Sequence, residues 1–281
     1  MGNGPIFEGG KNMKEREKTQ VFPWERTKYE KTEAMKALEA QIAQDPKNDQ
    51  LWFELSQKYD EAQLCREQVE ALSHAIAINP FCGIYYRWRG HRHLSCWQFA
   101  EANSDLEMAA RLIPENWDVW YHLGLSYFLL RDYKSALRAY EVCYRLTKTT
   151  EDLIPISDWY WTTLIRLGEK DKAQEVLDRI APDIDYGINT CYYRRLMAYK
   201  GVIDPDRLQD ETDEDRLNVV TQKYGLANLC LANGDEEKRR AILNRIFEMA
   251  DNENWTSMFA YLAARVDMDM IHEQAVATTQ A

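Results

Sequence analysis

The sequence predicts an all-α chain assembled from antiparallel helix pairs, and three observations carry that prediction. Apolar residues recur at helical spacing over most of residues 32 to 266. One pattern of aromatic, Leu, small residue and Ala returns every 34 residues, in copies starting at 49, 83 and 117. Pro46, Pro80 and Pro114 keep the same interval and would each close a second helix, because proline cannot donate the next helical hydrogen bond.

Residues 1–22 carry four glycines and an alternating charge run, KNMKEREKTQ, which predicts a flexible arm. Residues 23–48 read as an N-terminal cap helix: Pro23 suits a first turn, and Trp24, Met35, Leu38 and Ile42 form its apolar stripe. Three regular helix pairs follow over 49–150. The first has Trp52, Leu55, Ser56, Tyr59, Leu72 and Ala75, with Gln68 at the close-contact position. Tyr86, Gly90, Ala102, Leu106 and Ala109 mark the second, with Arg89 in place of the expected Leu. Asp49 and Asn116 are the expected N-caps.

The third copy is the cleanest. Trp120, Leu123, Gly124 and Tyr127 fall on one helix, Arg131 and Asp132 interrupt, and Ala136, Tyr140 and Cys143 restart the pattern. Gly124 and Ala136 would let the two helices approach closely while the aromatics fill the space beside them. After 150 the register slips by three residues, and TEDLIPIS is expected to be a longer entry turn to a pair over 151–187 containing Tyr160, Trp161, Leu164, Gly168, Ala173, Leu177 and Ile180. Residues 188–219 form a degenerate unit, one helix followed by an acidic loop. The last pair and a C-terminal cap occupy 220–266, with Leu226, Ala227, Cys230, Gly234, Leu243 and Ile246 in place and Arg239 at the tight position. The closing helix should be amphipathic, with Trp255, Phe259 and Leu262 inward, and residues 267–281 should be a flexible tail.

This order of residues at this period resembles the tetratricopeptide repeat (TPR) family, most closely over 49–146. The resemblance implies a right-handed superhelical α-solenoid, in which each pair is completed only by its neighbours. It further implies a non-catalytic scaffold or adaptor that takes a peptide or partner helix in a concave groove lined by first helices. Mapped onto this sequence, the groove residues are Arg87, His91 and Leu94, then Tyr121, Leu125 and Phe128, then Asp158 and Thr162, with His122 and Trp159 at the border. The family's two-carboxylate clamp of Lys and Asn is not matched, since Phe53 and Gln57, or Arg87 and His91, stand at those positions.

Composition bounds the alternatives. A chain of 281 residues with 45% hydrophobic and 12% aromatic residues has enough apolar side chains for a core. Its net charge of -11 argues against a nucleic-acid backbone as partner. No apolar run approaches the roughly 18 residues of a membrane helix, and MGNGPIFEGG has neither the basic head nor the apolar core of an export signal, so a cytoplasmic location with six reduced cysteines is expected. Ile6 stands where a myristoylation motif has Ser or Thr.

Three polar groups have plain structural readings. Asp118, His122 and Ser126 share a helix face, but no Gly-flanked turn presents Ser126 as a nucleophile. Cys82, His91, His93 and Cys96 include His91 and His93, which point apart on a helix. The acidic run from Asp204 to Asp215 lacks the central Gly of a calcium loop. The expectation is therefore no cofactor, no metal and no catalytic residue. Two other readings compete with the scaffold: a small-molecule pocket or enzyme site near Arg87, His91, His122 and Asp158, and a homodimer that occludes the groove.

Overall fold

The computed structural model describes residues 29–212, 215–253 and 258–280, and among these it contains thirteen α-helices, one 3₁₀ helix and no strand. The chain divides into two compact units, Phe22–Leu130 and, C-terminal to it, Arg131–Ala281.

The N-terminal unit contains α1 (Glu33–Gln44), α2 (Asp49–Glu61), α3 (Cys65–Ile78), α4 (Gly83–Ser95), α5 (Phe99–Leu112) and α6 (Trp117–Leu129). Each helix packs on the next, so apolar faces are buried pairwise along the chain. The expected first cap is displaced by one residue: Asn48, not Asp49, accepts from Leu51 N at 3.3 Å. Asp49 instead ties successive pairs together, accepting from Asn79 Nδ2 at 2.8 Å and Tyr85 Oη at 2.9 Å. Asn116 does cap α6, accepting from Val119 N at 3.1 Å. The close approach predicted by the small residues is present at Gly90, where an added Cβ would lie 2.8 Å from Leu106 Cγ and 3.2 Å from the Ala102 carbonyl oxygen. Trp24 and the arm lie outside the described residues.

The C-terminal unit contains α7 (Tyr133–Leu146), α8 (Thr150–Leu167), α9 (Lys170–Asp178), α10 (Thr190–Tyr199), the 3₁₀ helix Pro205–Gln209, α11 (Arg216–Asn233), α12 (Glu236–Glu253) and α13 (Phe259–Gln280). Here the expected entry turn is corrected. TEDLIPIS is helical, and α8 runs unbroken through Pro155. Proline removes the hydrogen bond that the Glu151 carbonyl would have accepted, and Asn189 Nδ2 supplies the replacement at 2.9 Å. Trp161, at the position where a Gly would allow close contact, stacks on Tyr199 at 3.8 Å and joins a core with Leu164, Val176, Leu177 and Leu196. The degenerate unit keeps its first helix, α10, while its second is shortened to the 3₁₀ turn. Its carboxylates cap and clamp: Asp204 accepts from Asp206 N, Asp215 from Leu217 N, and Glu211 pairs with Lys223 at 2.8 Å and Arg245 at 2.6 Å. The flexible tail is also corrected, because α13 continues to Gln280 and buries Asp267, Met268 and Ile271. Trp255 is outside the described residues.

One backbone signature runs through both units. Gln63, Trp97 and Arg131, each 34 residues after the last, have positive φ at the turn between first and second helices. Gly168, Gly201 and Gly234 repeat the conformation at intervals of 37, 33 and 33 residues. The left-handed residue reverses the chain in the space of about one residue. Among the described residues this turn appears six times, once within residues 188–219 at Gly201.

Candidate functional site

In the N-terminal unit, α4 and α6 bring Arg87, Trp88 and His91 against Trp117, Asp118, Tyr121 and His122. The Asn116 cap fixes the start of α6, a contribution of about 1 kcal/mol, and so sets where Asp118 projects. Arg87 Nε donates to Asp118 Oδ2, and the guanidinium lies 4.5 Å over the Trp88 ring. His122 Nδ1 is 2.8 Å from the Asp118 carbonyl oxygen and 3.2 Å from its Oδ1. The His91 ring is 4.7 Å from that of His122, and Trp117 stacks on Tyr121 at 5.0 Å.

Electrostatics follow from this packing. Burial pushes the Asp118 carboxyl up, but His122 and Arg87 outweigh it and hold it well below the usual carboxylate range. Burial lowers His91 well below an ordinary imidazole, with His122 and Arg87 adding to the effect, so it is neutral at pH 7. The result is a fixed Arg–carboxylate pair above an aromatic and imidazole layer.

Much of the predicted groove floor is interior. Leu94, Leu125 and Phe128 are fully buried, and Tyr121 and His122 nearly so. What solvent reaches is the edge: the side chain of Arg87 is 13% and that of Asp118 37% exposed, with Trp88 and Trp117 half-buried. Sequence reasoning missed Trp88 and Trp117 and placed Asp118 only in a row with His122 and Ser126. The pairing of Asp118 with an Arg 31 residues earlier, close to one repeat length, was the signal available. Ser126 does not join that row: its hydroxyl donates to Leu123 O at 2.7 Å and accepts from Asn103 Nδ2 at 3.0 Å. His93 Nδ1 lies 2.6 Å from Gln98 Oε1, and Cys96 is the C-cap of α4.

The C-terminal unit treats its predicted residues differently. Asp158, Trp159 and Thr162 have no exposed surface. The first helices α8, α10 and α11 all pack on one another, closing over the face that would have lined a groove. Asp158 Oδ2 meets Arg195 Nη2 at 2.8 Å with both side chains fully buried. Arg195 also donates to Tyr199 Oη at 3.1 Å and crosses Gly225 so tightly that an added Cβ there would lie 2.5 Å from Nε. Burial pushes the Asp158 carboxyl up to about 6, against the opposing pull of Arg195. Asp158 is therefore an internal partner of Arg195, unable to meet a ligand as the sequence reading expected.

Two clefts stand out, and neither includes Arg87, His91, His122 or Asp158. One, of about 500 Å³, lies among α1, α2 and α3 beside Tyr29, Trp52, Tyr59 and His74. The other, of about 430 Å³, lies in the C-terminal unit beside Tyr133, Arg166, Arg239, Asp267 and Met270. No described helix is long and apolar enough to cross a membrane.

No sequence-family model matches the chain, and no curated protein matches it in sequence. Solved structures do. A tetratricopeptide repeat protein from Parabacteroides merdae superimposes with a TM-score of 0.57 at 15% identity, covering 82% of this chain and 91% of that one. YrrB, described as a TPR protein with an unusual peptide-binding site, gives 0.50 at 15% identity over 83% of this chain and all of its own. At such identities the likeness carries architecture and not activity: the chain shares the helix-pair fold of these tetratricopeptide repeat structures.

Proposed function

We propose that the chain is a non-catalytic, cytoplasmic scaffold that binds a peptide or helix of a partner protein along its first helices, with the α4–α6 edge as the contact in the N-terminal unit. The observation that carries this is the Arg87–Asp118 pair set beside Trp88 and Trp117. Aromatic surface supplies contact area, and a held Arg–carboxylate pair supplies direction. His91, His122 and Tyr121 act beneath this edge as a support that fixes Asp118. Leu94, Leu125 and Phe128 serve the same layer as packing.

The test is affinity capture with Trp117→Ala/Asp118→Arg against wild type and against Met108→Ala, an exposed control on α5. A partner lost by the double variant and kept by the control is expected. Identical partner sets for all three proteins would refute the assignment, provided the double variant keeps its helical circular dichroism. Phe128→Ala is unsuitable, because it removes a fully buried side chain and tests folding instead.

A further inference from the structure

The closing helix α13 is not the amphipathic cap that ends an ordinary repeat stack. Residues 260–268 are all buried, leaving that stretch no face for solvent. Its anchoring is nonetheless polar. Asp267 Oδ2 accepts from Arg166 Nη2 on α8 at 2.5 Å and from Tyr224 Oη on α11 at 3.2 Å, and it pairs with Arg239 Nη2 on α12 at 3.2 Å. Further along, Tyr133 Oη lies 3.2 Å from Met270 Sδ, and Arg131 Nη1 is 2.6 Å from Glu273 Oε2. α13 therefore bridges α8 and α11, the first helices of two repeats.

Two features of this seat leave room for a competing helix. The 430 Å³ cleft runs beside it, lined by Met270 and Ile271 of α13 and by Ile165, Leu231 and Arg239 opposite. The polar match is also incomplete: Asp267 Oδ1, Arg239 Nε and Asn228 Nδ2 are buried without a hydrogen-bond partner. Each such atom has given up water without a replacement, which weakens the docked state.

We infer that α13 is a built-in ligand, and that the seat formed by α8, α11 and α12 docks a partner helix carrying an acidic residue in the place of Asp267 among small and aliphatic side chains. The occupant's chemistry is set by Arg166 and Arg239 converging on one carboxylate, and by the run Ala260, Leu262, Ala263, Ala264 and Val266. A partner of this kind competes with α13, so access to the C-terminal unit is regulated by the chain itself. This rests on the scaffold reading and specifies the partner for one of its two units.

A fluorescent peptide of residues 259–280 tests it in trans on the full chain. The Asp267→Asn chain, whose own helix has lost its charged anchor, is expected to bind the wild-type peptide about tenfold more tightly than the wild-type chain does. The same peptide carrying Asp267→Asn is expected to lose that gain. Because the variant can destabilise the whole unit, hydrogen exchange on the unaltered protein supplies the second measurement: amides of 259–273 are expected to exchange about tenfold faster than those in the middle of α8 and α11. Equal protection of α13, α8 and α11, or no gain in peptide affinity for a folded Asp267→Asn chain, would overturn the inference. Loss of partners by the Trp117/Asp118 variant is read in the other unit, so the two ideas fail separately.

Discussion

The two units solve the same packing problem with different chemistry. In the N-terminal unit the pairs keep a regular spacing, the cores are aliphatic and aromatic, and the ion pairs Arg87–Asp118, Arg89–Asp105 and Arg92–Asp60 each keep some exposure to solvent. In the C-terminal unit the spacing drifts, one second helix shrinks to a 3₁₀ turn, and charges move inside as Asp158–Arg195 and as Asp267 between two arginines. Regular repeats can rely on small residues at close contacts. Where the register is irregular, the gaps are filled by long side chains that must be paired because they are buried.

The sharpest way to break this comparison is at Arg195. Arg195→Met leaves Asp158 buried and uncompensated and is expected to cost about 3–5 kcal/mol in chemical denaturation. Asp158→Leu/Arg195→Met together should recover most of that loss, since the isolated charge, not the missing attraction, is the penalty. A double variant as unstable as the sum of the singles would show that the pair itself holds the unit. Next in size is Gly225→Ala, where the added methyl meets the Arg195 stem, expected to cost about 2–3 kcal/mol by thermal melting. Gly90→Ala in the N-terminal unit meets Leu106 at 2.8 Å, a milder overlap than the 2.4 Å at Gly225, so about 1–2 kcal/mol is expected.

Mild acid sharpens the contrast, because the units should respond with opposite sign. Asp158 and Asp269 are both pushed by burial up to about 6. The folded state then holds their protons more readily than the unfolded state. Their contribution to the C-terminal unit therefore falls as pH rises from about 3.8 to about 6 and grows again on acidification. His91 is depressed, so the N-terminal unit loses stability as pH drops below about 6.5, and the depressed Asp118 adds a further loss below about 3.8. Limited proteolysis at pH 7 and pH 5 should show cleavage shifting toward the N-terminal unit; an equal change in both would contradict the assignment. The smallest effect expected is a gain: Gln63→Gly relieves a left-handed backbone at a non-Gly residue and should raise the melting temperature, by about 0.5–1 kcal/mol of stability.

Helix pairing was legible because its causes are local. Apolar spacing, Pro46, Pro80 and Pro114, and the small residue at Gly90 each act within a few turns of their own helix. The turn residues Gln63, Trp97 and Arg131 were hidden, since nothing in their side chains advertises positive φ. Pro155 misled the reading of α8, because a proline in the sequence looks like a break until Asn189 is found to satisfy the carbonyl it leaves. The site was less legible than the fold for one reason. Family position says which way Asp158 or Phe128 points, but burial depends on which other helices arrive there, and the convergence of α8, α10 and α11 is encoded in Arg195, Tyr199 and Gly225, far along the chain. Arg87 and His91 were nominated by family position alone, and their partners Asp118 and His122 lie about one repeat away.

The proline in α8 couples two segments that a plain helix would leave independent. Its vacant carbonyl is an address that only the amide of Asn189 fills, so the start of one repeat is read by the start of the next. A lesion at Asn189 would therefore be felt a full unit upstream, as fraying ahead of Pro155, while a restored backbone donor, Pro155→Ala, would silence that message and free position 189 to vary.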